Sequence, residues 1–308
     1  MMGDRGVKSY IQIHGAKAVL GGIRSVITGA DLAFANLESP LSNLGSKQAW
    51  KDVTFRGDPR LASALGWAGF DVVTMANNHA LDCKASALLD TIKRMNKAGV
   101  KIVGAGKNAA AAHKPAVITT KKGVKVAFLG YSDILPMGYT AGSGPGIAAG
   151  RSDMARVKAD IRAARRRADF VVVAFHWGIE YQQPPTQEQK SEARTAINAG
   201  ADLVMSHHPH VLEGLEAYHG GLVCYSFGDL VFDHMSRETG ETILLRCVVS
   251  AKKITAKLIP VYANSSGIPS VQHGSSAAAI LGRMKRMSAA LGTKVRLSGD
   301  TATVTVKR

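Results

Sequence analysis

Apolar runs alternate along this chain with amphipathic stretches, and four of the runs end in side chains able to ligate a metal. Asp31 to Ala35 leads into Asn36-Leu37-Glu38, and Asp71 to Ala76 leads into Asn77-Asn78-His79. Asp169 to Phe175 leads into His176-Trp177-Gly178, and Ala201 to Met205 into Ser206-His207-His208-Pro209-His210. Runs this short and rich in valine and phenylalanine predict buried strands. Helical spacing begins near Cys83 and recurs at Met154, Val157, Ile161 and Ala164, with Arg162, Arg165, Arg166 and Arg167 on the outer face. From Glu241 the pattern predicts strands at Thr242 to Val249 and Ile254 to Val261, a helix near Ala277 to Leu291, and two short strands. Gly104-Ala105-Gly106 and Gly142 to Gly146 read as loops, and the first lacks the further glycine of a phosphate-binding fingerprint. Strands alternating with helices place the chain in the α/β class.

The strand ends carry the chemistry. Pro209 excludes a helix, so the histidine cluster sits on a loop at the carboxyl end of a strand, where open α/β sheets keep their sites. His208 and His210 are one residue apart and can turn toward one ion on a tightly curved loop. Any one such ending has an ordinary explanation, an asparagine closing a turn or a histidine packed in the core. Taken with Gly3-Asp4 at the start, five endings bearing Asp, Glu, Asn and His form an oxygen and nitrogen set suited to a divalent transition metal.

Gly3-Asp4, Asn36-Leu37-Glu38-Ser39-Pro40, Ala76-Asn77-Asn78-His79, His176 to Tyr181, His207-His208-Pro209-His210 and Tyr225 to Asp233 occur in an order that resembles the bacterial poly-γ-glutamate capsule-synthesis (CapA) family. That family is similar to the calcineurin-like metallophosphoesterases. The resemblance implies a sandwich of two mixed β-sheets flanked by helices, with a two-metal site at strand ends. It puts Asp4 on the first metal, Glu38 at the bridging carboxylate and Asn78 on the second metal. His176, His208 and His210 complete the coordination, and His79 stands as proton donor. The implied cofactor is a divalent ion, Mn, Zn or Fe. Three departures stand out: Asp4 is followed by Arg5-Gly6 rather than by the x-His of the phosphoesterases, Glu38 replaces their Asp, and Asp229 stands where the family more often carries Asn. The first favours a mononuclear site.

The chain of 308 residues, 46% hydrophobic and 20% charged, has the composition of a folded domain and no run near the ~18 apolar residues of a membrane span. It is expected to form one domain, a core over 1–250 completed by strands and a helix over 251–308. Only Met1 and Met2 precede Gly3-Asp4, too few for the ~5 residues of a typical strand, so the first core strand reads as truncated and the natural product as beginning upstream. Cys83, Cys224 and Cys247 form no close metal-binding pair and read as three buried thiols.

Charge narrows the partners. The net charge is +16, and residues 83–125 carry ten Lys or Arg against Asp90 alone, as do residues 251–308 against Asp300. Such a field attracts polyanions. No nucleic-acid motif and no aromatic interleaving accompany it, so no specific nucleic acid is expected. Poly-γ-glutamate or another anionic surface polymer fits the resemblance, with Lys121, Lys122 and Lys125 as candidate contacts and membrane-bound synthase components as further partners at the cell envelope, on the outer face of the cytoplasmic membrane or in the periplasm. Two functions follow: a metal-dependent hydrolase acting on that polymer, or a non-catalytic capsule-assembly factor that binds it.

Overall fold

The computed structural model describes residues 1–233 and 236–308. In chain order its strands are β1 (Phe34–Asn36), β2 (Val72–Thr74), β3 (Lys101–Val103), β4 (Ala105–Gly106), β5 (Ala116–Thr119), β6 (Lys125–Ser132), β7 (Gly146–Ile147) and β8 (Phe170–His176). They continue with β9 (Leu203–His207), β10 (Leu215–Tyr218), β11 (Gly221–Cys224), β12 (Glu241–Val249), β13 (Lys253–Ala263), β14 (Pro269–Val271), β15 (Arg296–Ser298) and β16 (Thr301–Lys307).

A six-stranded sheet runs β10-β11-β9-β8-β6-β5, parallel across its four central strands and antiparallel at both edges. Opposite it stand a parallel sheet, β1-β2-β3, and an antiparallel one, β12-β13-β16-β15 with β14 against β13. Every residue of β8 is buried, as a parallel strand covered on both faces requires. Val172, Phe128 and Leu203 of the large sheet meet Val72, Leu258 and Ala302 in the core between the layers. On the outer face, Val171, Val173 and Val204 pack under helices Met154–Arg165 and Gln187–Ala199. The latter is set by a capping box between Thr186 and Gln189, and Gly200 at φ 116° closes it. Helices Arg5–His14, Arg60–Ala68 and Lys84–Lys97 cover the parallel sheet. The result is the expected mixed α/β architecture, sheets in the middle and helices outside.

One feature differs from the reading of the pattern. Gly104-Ala105-Gly106, expected as a loop, supplies β4, which pairs with β7 because Ala105 and Ile147 are both buried and have main-chain groups to satisfy. At the amino end, residues 1–3 form no strand, as the reading of a truncated first strand expects. Met1 donates to the Asn36 carbonyl at 2.7 Å and accepts from Glu38 N–H at 2.7 Å, the bonding of a parallel pair with Leu37. Met2 N–H reaches the Val231 carbonyl, also at 2.7 Å. No helix among the described residues is long and apolar enough to cross a membrane. The three cysteines are free thiols, Cys83 and Cys224 buried and Cys247 half-buried.

Candidate metal centre

Parallel pairing decides the geometry of the site. Ser132, His176 and His207 are register partners across β6, β8 and β9, and Asn36 pairs with Thr74 across β1 and β2, so the carboxyl ends of both parallel sets are level. Glu38 follows β1, Asn78 follows β2, His176 ends β8, and His208 and His210 follow β9. All five are buried.

They converge. His176 Nε2 lies 2.8 Å from Asn78 Oδ1 and 3.8 Å from Glu38 Oε1, while His210 Nε2 is 3.6 Å from the same carboxylate oxygen. The rings of His176 and His208 are 4.8 Å apart, and those of His208 and His210 are 6.1 Å apart. Ligand atoms of Glu38, His176 and His208 lie within 4.8 Å of one another, and so do those of Glu180, His208 and His210. Among the buried atoms without a hydrogen-bond partner are Glu38 Oε1, His176 Nδ1 and His208 Nδ1. A buried carboxylate oxygen with no hydrogen-bond partner, beside the Nε2 atoms of His210 and His176 at 3.6 and 3.8 Å, is costly unless something binds it, and a divalent cation suits a carboxylate with imidazoles. The donors therefore fit a metal ion.

Backbone strain marks the same loop. His208 has φ 105° and His210 φ 59°, conformations that L-residues rarely adopt and that cluster where a site over-determines the chain.

Electrostatics sorts the imidazoles. Burial, with His208 and His207 nearby, pushes His176 far below its usual range, and burial together with His210 and His79 lowers His208 to about 3. Both are thus neutral, the form that ligates metal. For His210, burial is outweighed by the carboxylates of Asp229 and Glu38, which raise it to about 9. Its Nδ1 is 2.9 Å and 3.1 Å from the two Asp229 oxygens, a partner that fixes the ring's orientation as outer carboxylates do around metal sites. Gly228 aims Asp229: it holds φ +68°, and a Cβ there would stand 2.6 Å from the Glu241 carbonyl oxygen. Glu38 is oriented in turn by Asn36 Nδ2 at 2.9 Å, and Asn36 Oδ1 accepts from Asn77 Nδ2 at 3.0 Å.

His79 sits beside this group on a separate network. Its Nδ1 is 2.6 Å from Asp82 Oδ2, and the buried Asp82 also accepts from Lys51 Nζ at 2.6 Å, Phe55 N–H at 2.7 Å and the Tyr139 hydroxyl at 3.1 Å. A carboxylate held by three other donors fixes the ring, leaving Nε2 as its other nitrogen.

Asp4 is engaged by other partners. One of its oxygens accepts from Arg56 N–H at 2.8 Å and lies 3.6 Å from Lys47 Nζ, and Asp4 belongs to neither of the two close groups of ligand atoms. Lys121, Lys122 and Lys125 are exposed on the β5–β6 hairpin, where Lys122 pairs with Asp31 at 3.0 Å. Lys125 begins β6 and Ser132 ends it at the site, so roughly 20 Å of strand separates the lysines from the histidines. Glu180, Asp82 and the orienting role of Asp229 were not read from the sequence. Glu180 stands within the segment His176 to Tyr181, and the three-residue interval from His79 to Asp82 is the available signal for the dyad.

A metal-ligand cluster at the strand ends of a layered α/β fold is the class this architecture defines. The description "Bacterial capsule synthesis protein PGA_cap" matches residues 1–234, and the chain belongs to that family. It is 34% identical over 254 residues to the "PGA biosynthesis protein CapA" of Bacillus subtilis, covering 80% of this chain and 64% of that protein. It is 32% identical to the "Capsule biosynthesis protein CapA" of Bacillus anthracis, covering 80% and 61%. The chain thus spans under two thirds of these relatives' length. Among solved structures, the NAD nucleotidase of Haemophilus influenzae superposes with a TM-score of 0.41 and 12% identity, over 84% of this chain and 43% of that one. At that distance the likeness assigns neither activity nor substrate.

Proposed function

We propose that this capsule-synthesis family member is a metal-dependent hydrolase acting on an anionic cell-surface polymer, with poly-γ-glutamate as the favoured substrate, at the cell envelope beside membrane-bound synthase components. The observation that carries the reading is the buried group of Glu38, His176 and His208 with unpartnered donor atoms. Glu38, Asn78, His176, His208 and His210 would hold the ion, with Glu180 at the open side. A bound divalent ion supplies a water of lowered pKa and polarises a carbonyl or phosphoryl oxygen. The chain's own residues do the rest. Asp82 holds the His79 ring so that Nε2 can deliver a proton to the leaving group. Arg5, which lies 5.0 Å from the Phe55 ring centre, and the half-exposed Lys47 are cations able to draw an acidic chain toward the strand ends.

One observation favours the second reading, a polymer-binding assembly factor without catalysis: Asp4 is engaged by Arg56 and Lys47 outside the close group, which leaves fewer ligands for a second ion. Metal content and turnover separate the two. The hydrolase reading expects bound divalent ion in the purified chain, lost on joint replacement His208→Ala and His210→Ala, and metal-dependent cleavage of poly-γ-glutamate or a phosphodiester. Metal that stays bound in the double variant refutes the ligand set. Bound metal with no turnover of either substrate selects the assembly factor.

A further inference from the structure

A cavity of about 500 Å³ opens beside the candidate metal centre, between the start of helix Arg5–His14 and the segment that follows β11. Its lining includes Arg5, Tyr181, Asp229, Phe232, Asp233 and Glu238. Two of these residues touch His210: centre to centre, the Tyr181 ring lies 5.9 Å and the Phe232 ring 4.9 Å from the imidazole. Phe232 meets Phe55 edge on at 5.6 Å, and Phe55 lies 4.2 Å from the His79 ring. The two phenylalanines thus bridge from His210 to His79, and the Arg5 guanidinium stands 5.0 Å from the centre of Phe55 and 5.7 Å from that of Phe232. A molecule held at Arg5 is one aromatic ring away from both histidines.

Arg5 is held in place by its surroundings. Its φ of 48° is a left-handed conformation that side chains rarely adopt, and its Nη2 donates to Asp233 Oδ1 at 2.8 Å. Gly6 admits that partner, since a Cβ there would stand 3.3 Å from the Asp233 Cβ. The half-exposed guanidinium carries five N–H donors, and among the described residues one of them goes to Asp233. The other carboxylates of the cavity have cations of their own, Asp229 at His210 and Glu238 at Arg283. The cavity therefore presents a guanidinium and a carboxylate side by side, a pair that matches a ligand bearing the opposite charges on neighbouring atoms. One arginine among three carboxylates repels a ligand with negative charge alone.

We propose that this cavity binds the amino-terminal residue of a γ-linked glutamate chain, with Arg5 taking its α-carboxylate and Asp233 its α-ammonium. The proposal rests on the poly-γ-glutamate reading above and adds which end of the chain is engaged. In a γ-linked chain the side-chain carboxyl forms the amide, so the amino-terminal unit keeps its α-carboxylate and α-ammonium on one carbon. An internal unit offers an α-carboxylate and an amide N–H, and the carboxyl-terminal unit offers two carboxylates and no cation. Of the three, the amino end alone supplies both charges, and both bonds are of the stronger, charge-assisted kind. The lysines of the β5–β6 hairpin act on the chain's total charge, whereas Arg5 and Asp233 select its end.

The test measures binding to the full chain, by calorimetry, of γ-linked glutamate pentamers prepared separately from L and from D residues. One form has a free amino end, one is acetylated there, and one carries its first α-carboxylate as the methyl ester. The free pentamer should bind at least about tenfold more tightly than either of the others, the order of one hydrogen bond to a charged group. That ratio should persist at physiological ionic strength, because bonds at contact are screened less than the field of a distant hairpin. Asp233→Asn should make the free and acetylated pentamers equal, and Arg5→Gln the free and methylated ones. Equal binding of all three forms by the unaltered chain in both configurations, or a preference that survives the matching replacement, would overturn the proposal. Absence of binding by every pentamer would overturn it too, and metal-dependent cleavage of a phosphodiester by the same preparation would then leave the hydrolase reading standing. Bound metal without turnover, while the preference for the free amino end persists, would refute the hydrolase and uphold the role of the cavity.

Discussion

At the scale of single residues, the site separates candidate ligands from the groups that orient them. His79 contacts Asp82, not the carboxylate that His176 and His210 share. If the chain is a hydrolase, His79→Ala should lower turnover by about 10²-fold and leave metal content unchanged, because general acid catalysis contributes on that order. Metal analysis of the variant checks it, and a parallel loss of metal would make His79 a ligand. Glu213 offers a test in stability. It is buried with one oxygen 3.0 Å from Gln189 Nε2, and burial raises its carboxyl to about 7. The folded chain holds this proton to higher pH than the unfolded chain does. The stabilisation is therefore complete below the ordinary glutamate range and is lost as pH rises toward 7. The loss should be about 3 kcal/mol for this group, and Glu213→Gln, which keeps an acceptor for Gln189, should remove that part of the slope. Urea unfolding from pH 4.5 to 8 gives the comparison; identical slopes for both chains would exclude the assignment.

At the scale of elements, strand direction explains why distant residues meet. β1, β2, β8 and β9 deliver Glu38, Asn78, His176 and the His208 loop to one edge because each belongs to a parallel set. The β5–β6 hairpin, at the opposite end of β6, carries its lysines away from that edge. Replacement of Lys121, Lys122 and Lys125 by Glu should therefore weaken binding of poly-γ-glutamate at low salt without altering metal content. The wild-type affinity should fall steeply toward physiological ionic strength, where screening shortens to ~8 Å. Binding indifferent to salt, or unchanged by the triple replacement, would reduce the hairpin to a solubility feature.

At the scale of the whole molecule, the proposed metal ties together segments from two layers, since Glu38 follows a strand of one sheet and His176 ends a strand of the other. Removing it with a chelator should lower Tm, by about 2.7 kcal/mol of lost stabilisation if free metal had stood a hundredfold above Kd. Calorimetry with and without metal reads this directly, and an unchanged Tm would place the ion outside the folded core. The pattern of apolar and polar positions was enough to predict the strands that carry the site and the residues at their ends, because strand periodicity and burial are local properties written in consecutive side chains. The positions of Glu38, Asn78, His176, His208 and His210 at or just beyond strand ends were legible for that reason. Whether Asp4 turns toward them or toward Arg56, that Asp82 holds His79, and that Glu180 approaches His208 and His210 depended on distances between segments far apart in sequence or on the path of a loop.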